Sequence, residues 1–322
     1  MAFLGNDTST IANGATDSDT YSSGDQNSGE AGVVEAGVVT APRGVNSAPL
    51  TRNPEIERIR KRLEERSRQR GDHSGARRRA ADNPRVSVVI PARNEAPNLP
   101  IVFKNIPEDV YEIVLVDGDS TDGTADVALS LRDNVRVVGQ DRPGKGNALI
   151  CGFNACRGDV IVMIDADGSM DAAEIPLYVE ALTGGADFVK GSRYMPGAGS
   201  EDITKIRSAG NHTLRLMVNT LFGTRYSDLC YGYSAFWRWT LPHLDLDCDG
   251  FEIETMMNIR AHTAGLRVAE VPTWEYDRIH GESNLNAVRD GLRILRTIVT
   301  ERLTPPSRRR SRAALDAAPA TN

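Results

Sequence analysis

Two aspartates one residue apart, Asp165 and Asp167, are the side chains best suited to chemistry in this sequence. They follow Val160 to Ile164, an apolar run typical of a strand buried on both faces of a parallel sheet. Ligands bind at the carboxyl ends of such strands, so both carboxylates are expected at one point outside the sheet edge. Carboxylates of this kind hold Mg²⁺ or Mn²⁺ and leave other positions to water and phosphate oxygens. The alternative is a polar turn that caps the next helix, since Asp also favours turns.

Alternating strands and helices must position these carboxylates. Strands rich in β-branched residues are predicted at 86–90, 112–116, 135–138, 160–164 and 188–190. Helices are predicted between them at about 98–105, up to 131, at 145–156 and at 174–182, the second with Ser120 or Thr121 as its N-cap. This alternation predicts an α/β fold, with an open, mostly parallel sheet flanked by helices. Asp117 ends the second strand, so it is expected in the same crevice.

The two ends of the chain differ from this central part in composition. Residues 1–82 form a polar region predicted to be disordered, with a basic segment at 51–80. Residues 304–322 are predicted to form a basic disordered tail, which leaves 83–303 as one folded domain. The net charge of -6 over 322 residues argues against nucleic acid as the main partner.

Cysteine usage and hydropathy indicate the compartment. The four cysteines form neither a Cys-x-x-Cys pair nor a secreted disulfide framework, so they are expected to be reduced thiols in a cytoplasmic protein. No apolar run reaches the ~18 residues that span a bilayer, so any membrane contact is expected to be peripheral, at the inner face. Residues 287–303 place apolar side chains at helical spacing beside arginines. Such a helix can lie in a membrane interface, but the pattern favours packing on the same domain or on a partner chain, such as a second copy in a homo-oligomer.

One competing motif lies between the third strand and the next helix. Gly139 to Gly146 nearly matches the phosphate-binding pattern G-x-x-x-x-G-K-[ST]. Gly146 stands where Ser or Thr would supply a hydroxyl to Mg²⁺, which argues against a P-loop NTPase. Lys145 is instead predicted to lie in a flexible basic turn, either structural or facing a diphosphate.

Further motifs occur in a fixed order along the chain. Those in the first half are Val88 to Glu95, Val116 to Thr124, Gly144 to Ala148 and Asp165 to Ser169. This set resembles the signatures of family-2 glycosyltransferases with the GT-A fold. Those in the second half resemble the dolichyl-phosphate (polyprenyl-phosphate) mannosyltransferase branch, and they are Gly191 to Arg193, Asp228 to Gly232, Gly250 to Glu254 and Arg278 to Ser283. The resemblance covers about residues 84–301.

The resemblance implies an activity and a set of site residues. The activity is a metal-dependent, inverting transfer of a hexose from a GDP- or UDP-hexose to a polyprenyl phosphate. Asp165 and Asp167 would hold Mg²⁺ or Mn²⁺. The donor would contact Pro91, Arg93, Glu95, Asp117, Lys145, Asp165 and Ala166. The acceptor phosphate would contact Arg193, Arg278 and Ser283, and the catalytic candidates are Asp167, Glu254 and Arg193.

The acceptor decides which further residues the chemistry needs. A lipid phosphate is already anionic and needs guanidinium groups to place it, whereas a hydroxyl acceptor needs a general base such as Glu252 or Glu254. The alternatives left open are a soluble or polysaccharide hydroxyl acceptor on the same fold, a sugar-phosphate nucleotidyltransferase, and a non-catalytic binding protein. The aromatic residues between 231 and 239 are expected to lie mostly in the core, although they could floor a sugar site.

Overall fold

The computed structural model describes Lys61, residues 83–281 and residues 285–304. The predictions for Ser283, for the rest of residues 1–82 and for residues 305–322 lie outside these residues. The predicted domain limits therefore stay predictions. Within the described residues, no helix combines the length and the hydrophobicity needed to cross a membrane.

The centre of the fold is a seven-stranded sheet. In chain order, the strands are β1 (Val86–Ala92), β2 (Glu112–Asp117), β3 (Val135–Gly139), β4 (Val160–Met163), β5 (Phe188–Ser192), β6 (Gly199–Ser200), β7 (Ser234–Trp237), β8 (Val268–Pro272) and β9 (Trp274–Glu275). The sheet order is β3-β2-β1-β4-β7-β5-β8, and β6 pairs with β9 separately. Neighbouring strands run parallel, except that β7 is antiparallel to both β4 and β5. The predicted open, mostly parallel α/β sheet is thus confirmed.

Helices cover both faces of this sheet. They are α1 (Leu99–Asn105), α2 (Thr124–Leu131), α3 (Lys145–Ala155), α4 (Ile175–Thr183), α5 (Lys205–Phe222), α6 (Leu241–Leu244), α7 (Ile253–Thr263) and α8 (Ala287–Leu303). Apolar side chains of α1, α2 and α4 bury one face, and those of α3, α6 and α7 bury the other. A third cluster joins α5, α7 and α8 through Val218, Ile259, Ile294 and Ile298.

Alternation along each strand supplies both cores. Val88 and Ile90 of β1 face the first core, while Val89 between them faces the second, and all three are fully buried. The central strands therefore need apolar residues on both faces. The resulting continuous β-branched runs made these strands predictable from the sequence.

Two predictions about local structure need correction or comment. The N-cap of α2 is Gly123, in a left-handed conformation, and neither Ser120 nor Thr121 caps the helix. Their side chains instead hydrogen-bond to the loop after β1, as described below. Among the aromatic residues, Tyr231, Tyr233, Phe236 and Trp237 are buried in the core as expected, and Trp239 is partly exposed.

Candidate active site

The candidate site lies where β1 and β4 end side by side. From β1 the chain moves outward to β2 and β3, and then returns to β4 on the other side of β1. A reversal of this kind leaves a crevice between the loops that follow the two strands. A cleft of about 650 Å³ occupies this position.

Most of the predicted site residues come together in this cleft. Those that line it are Pro91, Arg93, Glu95, Lys145, Asp165, Ala166, Asp167 and Arg278. Asp117, Arg193 and Glu254 are not among its lining residues.

Asp165 is paired with a lysine. The Nζ atom of Lys145 lies 2.7 Å from Oδ1 and 2.9 Å from Oδ2 of Asp165, and 3.0 Å from Oε1 of Glu254. Burial acts to lower the pKa of Lys145, but the two carboxylates outweigh it and raise this pKa above its usual value. Burial also raises the pKa of Glu254. Glu254 therefore serves as a buried partner of Lys145, and its role as a general base stays a prediction.

Asp167 is paired with an arginine. Its Oδ1 accepts hydrogen bonds from the backbone N–H and the hydroxyl of Ser169, at 3.0 and 2.7 Å. Its Oδ2 lies 2.7 Å from Nη2 of Arg278, whose Nη1 lies 3.4 Å from Oε1 of Glu95. Burial raises the pKa of Glu95. Arg278 thus joins the loop after β1 to the carboxylate that follows β4.

The loops after β1 and β2 hold each other in place. Asn94 has a left-handed backbone, its N–H donates to the Ser120 hydroxyl at 2.9 Å, and its Oδ1 accepts from the N–H of Thr121 at 2.8 Å. The N–H of Glu95 donates to the hydroxyl of Thr124 at 2.9 Å. These polar groups at positions 120–124 therefore hold the loops after β1 and β2 together, and they fix the position of Glu95 beside the cleft.

Asp117 is the last residue of β2 and lies next to these two loops. Its Oδ2 accepts a hydrogen bond from the N–H of Ser120 at 3.2 Å. Its Oδ1 is buried and has no hydrogen-bond partner in the described part of the chain. A buried carboxylate oxygen without a donor is costly, so a ligand that brings a hydroxyl or an N–H to this position would be favoured.

Glycines bring the start of α3 against the loop at 248–250. A Cβ atom on Gly146 would lie 2.8 Å from the carbonyl oxygens of Cys248 and Gly250. The N–H of Gly146 donates to the carbonyl of Asp249 at 2.8 Å. This close backbone approach explains Gly at the position where a P-loop would have Ser or Thr, and it sets Lys145 at the rim of the cleft.

Arg193 lies away from the cleft, inside the domain. Its Nε is 2.7 Å from Oδ2 of Asp228, and its Nη1 is 3.0 Å from Oε2 of Glu275. The arginine is only 8% exposed and Asp228 is fully buried. These contacts favour a structural role for Arg193, and its part in catalysis and phosphate binding stays a prediction.

Several residues that line the cleft were not predicted as site residues, among them Gln140, Phe251, Arg289, Asp290 and Arg293. The two arginines are four residues apart on α8, so they share a helix face, and that spacing was the available signal. Phe251 lies 5.8 Å, by its ring centroid, from Nζ of Lys145. Gln140 and Phe251 lie inside the motifs at 139–146 and 250–254, which were the available signal for them.

The donor set of the cleft suits a hard divalent cation. Asp165 and Asp167 offer carboxylate oxygens at the mouth of one strand, and Ser169 orients the second of them. Within the described residues, no group of three or more His, Cys, Asp or Glu side chains could hold a metal alone. Mg²⁺ is usually held by one or two carboxylates together with substrate phosphates, so two carboxylates fit it.

Comparisons with known proteins agree with this geometry. Residues 87–243 match the family described as Glycosyl transferase family 2. The undecaprenyl-phosphate mannosyltransferase of Micrococcus luteus is 33% identical over 214 residues, which cover 63% of this chain and 88% of that protein. The polyprenol monophosphomannose synthase of Mycolicibacterium smegmatis is 33% identical over 215 residues, covering 63% and 81%.

Solved structures show the same fold. The glucosyl-3-phosphoglycerate synthase of Mycobacterium tuberculosis, in complex with Mn²⁺, uridine diphosphate and phosphoglyceric acid, superimposes with a TM-score of 0.56. The match covers 71% of this chain and 82% of that one, at 23% identity. At this identity the likeness concerns the architecture of the sheet and its flanking helices.

Proposed function

Because this chain belongs to glycosyltransferase family 2 and is a glycosyltransferase, we propose that it transfers a hexose from a nucleotide diphosphate sugar to a polyprenyl phosphate. The observation that carries the proposal is the cleft itself. Its strand side presents Asp165 and Asp167, and its α8 side presents Arg289 and Arg293. Acids for a metal on one side and arginines for a phosphate on the other suit a reaction between two phosphate-bearing substrates.

Asp165 and Asp167 would hold Mg²⁺ or Mn²⁺ in this proposal. When bound, the metal neutralises the negative charge that grows on the departing nucleotide. Ser169 keeps Asp167 in one orientation through two hydrogen bonds to Oδ1. Oδ2 of Asp167 contacts Arg278, and both residues line the cleft.

The donor nucleotide would lie along the loops after β1 and β2. Pro91, Arg93 and Glu95 line that end of the cleft. The buried Oδ1 of Asp117 lacks a partner among the described residues, so a sugar hydroxyl or a base N–H is a suitable group to fill this position. The donor end is therefore formed by loops that hydrogen bonds already hold rigid.

The acceptor phosphate would contact the arginines at the other end. Arg289 and Arg293 line the cleft and remain 68% and 47% exposed, so their guanidinium groups are accessible to an incoming anion. An anionic phosphate needs no base to attack the sugar, which agrees with the pairing of Glu254 with Lys145. A hydroxyl acceptor remains the second candidate, because Oε2 of Glu252 is buried without a hydrogen-bond partner in the described residues and lies near Arg293.

We also propose that the outer face of α8 contacts the membrane that carries such a lipid. Apolar side chains on this face are exposed, by 73% at Val288, 62% at Leu292, 43% at Val299 and 73% at Leu303. Arg289, Arg293 and Arg296 border them, which is typical of a helix lying in an anionic interface. The same two arginines that line the cleft therefore border the face proposed to touch lipid.

An assay with defined acceptors tests this function. The purified full-length chain is incubated with GDP-mannose or UDP-glucose and Mn²⁺, with undecaprenyl phosphate, with a soluble sugar, or with neither. We expect nucleoside diphosphate release that requires undecaprenyl phosphate, together with label in an organic extract. Release driven by the soluble sugar alone would favour a hydroxyl acceptor, and pyrophosphate release would overturn glycosyl transfer.

A further inference from the structure

Each carboxylate assigned to the metal is already paired with a protein cation. Lys145 Nζ contacts both oxygens of Asp165, at 2.7 and 2.9 Å. Arg278 Nη2 contacts Oδ2 of Asp167 at 2.7 Å. Each cation also contacts a second carboxylate, since Lys145 Nζ lies 3.0 Å from Oε1 of Glu254 and Arg278 Nη1 lies 3.4 Å from Oε1 of Glu95.

The two cations come from different parts of the fold, and the side chain of each is partly exposed. Lys145 is the first residue of α3, and its side chain is 15% exposed. Arg278 follows β9, and its side chain is 22% exposed. The backbone after Arg278 is fixed next to the turn that carries Asp167, because the N–H of Ile279 donates to the carbonyl of Asp167 at 3.3 Å. Both side chains therefore have long stems anchored at the cleft and charged ends that can change partner without moving the backbone.

A divalent cation that enters alone meets two carboxylates that already face protein cations. It must displace Lys145 from Asp165 and Arg278 from Asp167, which leaves each cation with only its second carboxylate and close to a divalent charge. A nucleoside diphosphate removes this penalty because its phosphate oxygens offer new partners to the displaced side chains. The metal and the diphosphate then favour each other's binding through the same two residues.

We propose that Lys145 and Arg278 are exchangeable counter-ions that couple metal binding to nucleotide binding, an inference that rests on the proposed function. They hold the carboxylates until a metal and a diphosphate arrive together, and then transfer to the diphosphate. By linkage, the factor by which the nucleotide raises metal affinity equals the factor by which the metal raises nucleotide affinity. The coupling then depends on these two side chains and not on the metal alone.

Mn²⁺ titrations followed by the electron paramagnetic resonance of free Mn²⁺ test the inference on the full-length chain. Arg278→Gln should bind Mn²⁺ alone at least about fivefold more tightly than wild type, the low end of typical coupling. The nucleotide arm repeats the titration with saturating UDP and with saturating GDP. There the wild type should gain much more Mn²⁺ affinity than Arg278→Gln does.

Arg142→Gln is the matched control. Arg142 lies near the rim and pairs with Asp249 at 3.0 Å, so the substitution removes the same charge without touching Asp165 or Asp167. Its Mn²⁺ affinity should stay within about twofold of wild type, since exposed charges are screened. Equal tightening in both variants would overturn the counter-ion role in favour of a general field effect. Unchanged or weaker Mn²⁺ binding by Arg278→Gln would also overturn it.

A second variant and the titrations with nucleotide separate failure of the counter-ion proposal from failure of the proposed function. Lys145→Gln should shift Mn²⁺ affinity in the same direction as Arg278→Gln, so the test survives if one variant misfolds. If neither UDP nor GDP binds to the wild type, the proposed function fails while the arm with Mn²⁺ alone still reports on the counter-ions. If nucleotides bind but Arg278→Gln leaves the coupling intact, the counter-ion proposal fails and the function stands.

Discussion

Asp165 and Asp167 have one residue between them, but different contacts restrain their side chains. The side chain of Asp167 is 11% exposed and accepts two hydrogen bonds from Ser169, whereas that of Asp165 is 25% exposed and is held by Lys145. A preorganised charge contributes more to catalysis than one that must be ordered during the reaction. Asp167 is therefore expected to be the more sensitive position.

Replacing Asp167 by Asn should slow nucleoside diphosphate release about 100- to 1,000-fold, the usual effect of losing one preorganised charge-stabilising group. The rate is measured at saturating nucleotide sugar and lipid phosphate. Asp133→Asn, at an exposed position outside the cleft, is the matched control and should retain the wild-type rate. Activity of Asp167→Asn within about tenfold of wild type would remove this residue from the catalytic set.

Glu254 offers a test of the acceptor. Since its carboxylate faces Lys145 behind the cleft wall, Glu254→Gln should lower turnover with a lipid phosphate by less than about tenfold, whereas loss of a general base costs about 100-fold or more. The comparison uses kcat for undecaprenyl phosphate, with circular dichroism to confirm folding. A loss in the larger range would restore Glu254 as a base and favour the hydroxyl acceptor.

Single residues were predictable from the sequence where the signal was local. Asp165 and Asp167 follow a strand directly, so their position needed only the strand and its direction. The partner of Asp165 was less accessible, because the approach of Glu254 to Lys145 depends on α7 packing near the start of α3. The partners of Arg193 were also hidden, because Asp228 and Glu275 are distant in sequence and pair with its guanidinium group inside the domain.

At the scale of elements, the outer face of α8 makes a testable claim. A Val288→Glu and Leu292→Glu double variant should bind vesicles of phosphatidylglycerol and phosphatidylcholine at least about tenfold more weakly, since burying one such side chain contributes about 1.5 kcal/mol or more. Binding is measured by vesicle co-sedimentation. The control is Ile101→Glu with Leu129→Glu, which changes two exposed apolar residues on α1 and α2. Equal losses in both double variants would argue against a membrane face on α8.

The start of α4 is tied to the far edge of the sheet by Glu174. Its carboxylate accepts hydrogen bonds from the hydroxyl of Thr273 at 2.5 Å and from the N–H of Trp274 at 3.3 Å. Burial raises the pKa of Glu174 from its usual 4.5 to about 7. The folded state therefore binds this proton more tightly than the unfolded state, so stability is lost as the pH rises from about 4.5 to about 7.

Glu174→Gln removes this titration. The unfolding free energy of the variant minus that of the wild type should rise by about 2 kcal/mol between pH 5 and pH 8, because only the wild type carries the loss of stability due to ionisation of Glu174. Urea unfolding at both pH values measures the difference. A free-energy difference between variant and wild type that is the same at pH 5 and pH 8 would show that Glu174 ionises normally in the folded protein.

Elements were predicted well where strands are continuous and β-branched, and poorly where tertiary contacts decide. The strands before residue 192 were found within two residues of their ends, because burial on both faces demands an unbroken apolar run. β7 was missed because it has only four residues, Ser234–Trp237. Its antiparallel position between β4 and β5 depends on tertiary contacts that the local sequence does not show. The N-cap of α2 was also wrong, because Ser120 and Thr121 bond to the neighbouring loop at Asn94.

For the whole molecule, the order of the strands builds the site. Placing β1 between β2 and β4 brings three strand ends together, so that Glu95 and Asp165 line one cleft although about 70 residues separate them. α8 adds Arg289 and Arg293 to the lining of this cleft. The sequence predicted the first half of this arrangement from alternating elements. The second half required the packing of α8 on α5 and α7.

The most direct measurement of the central claim follows hexose transfer to undecaprenyl phosphate while the divalent cation is removed and returned. We expect one lipid-linked hexose for each nucleoside diphosphate released, loss of both products on chelation with EDTA, and full recovery when excess Mn²⁺ is added. Transfer that continues undiminished after chelation, or that is unaffected when Asp165 and Asp167 are both changed to Asn, would contradict a metal-assisted reaction at this cleft.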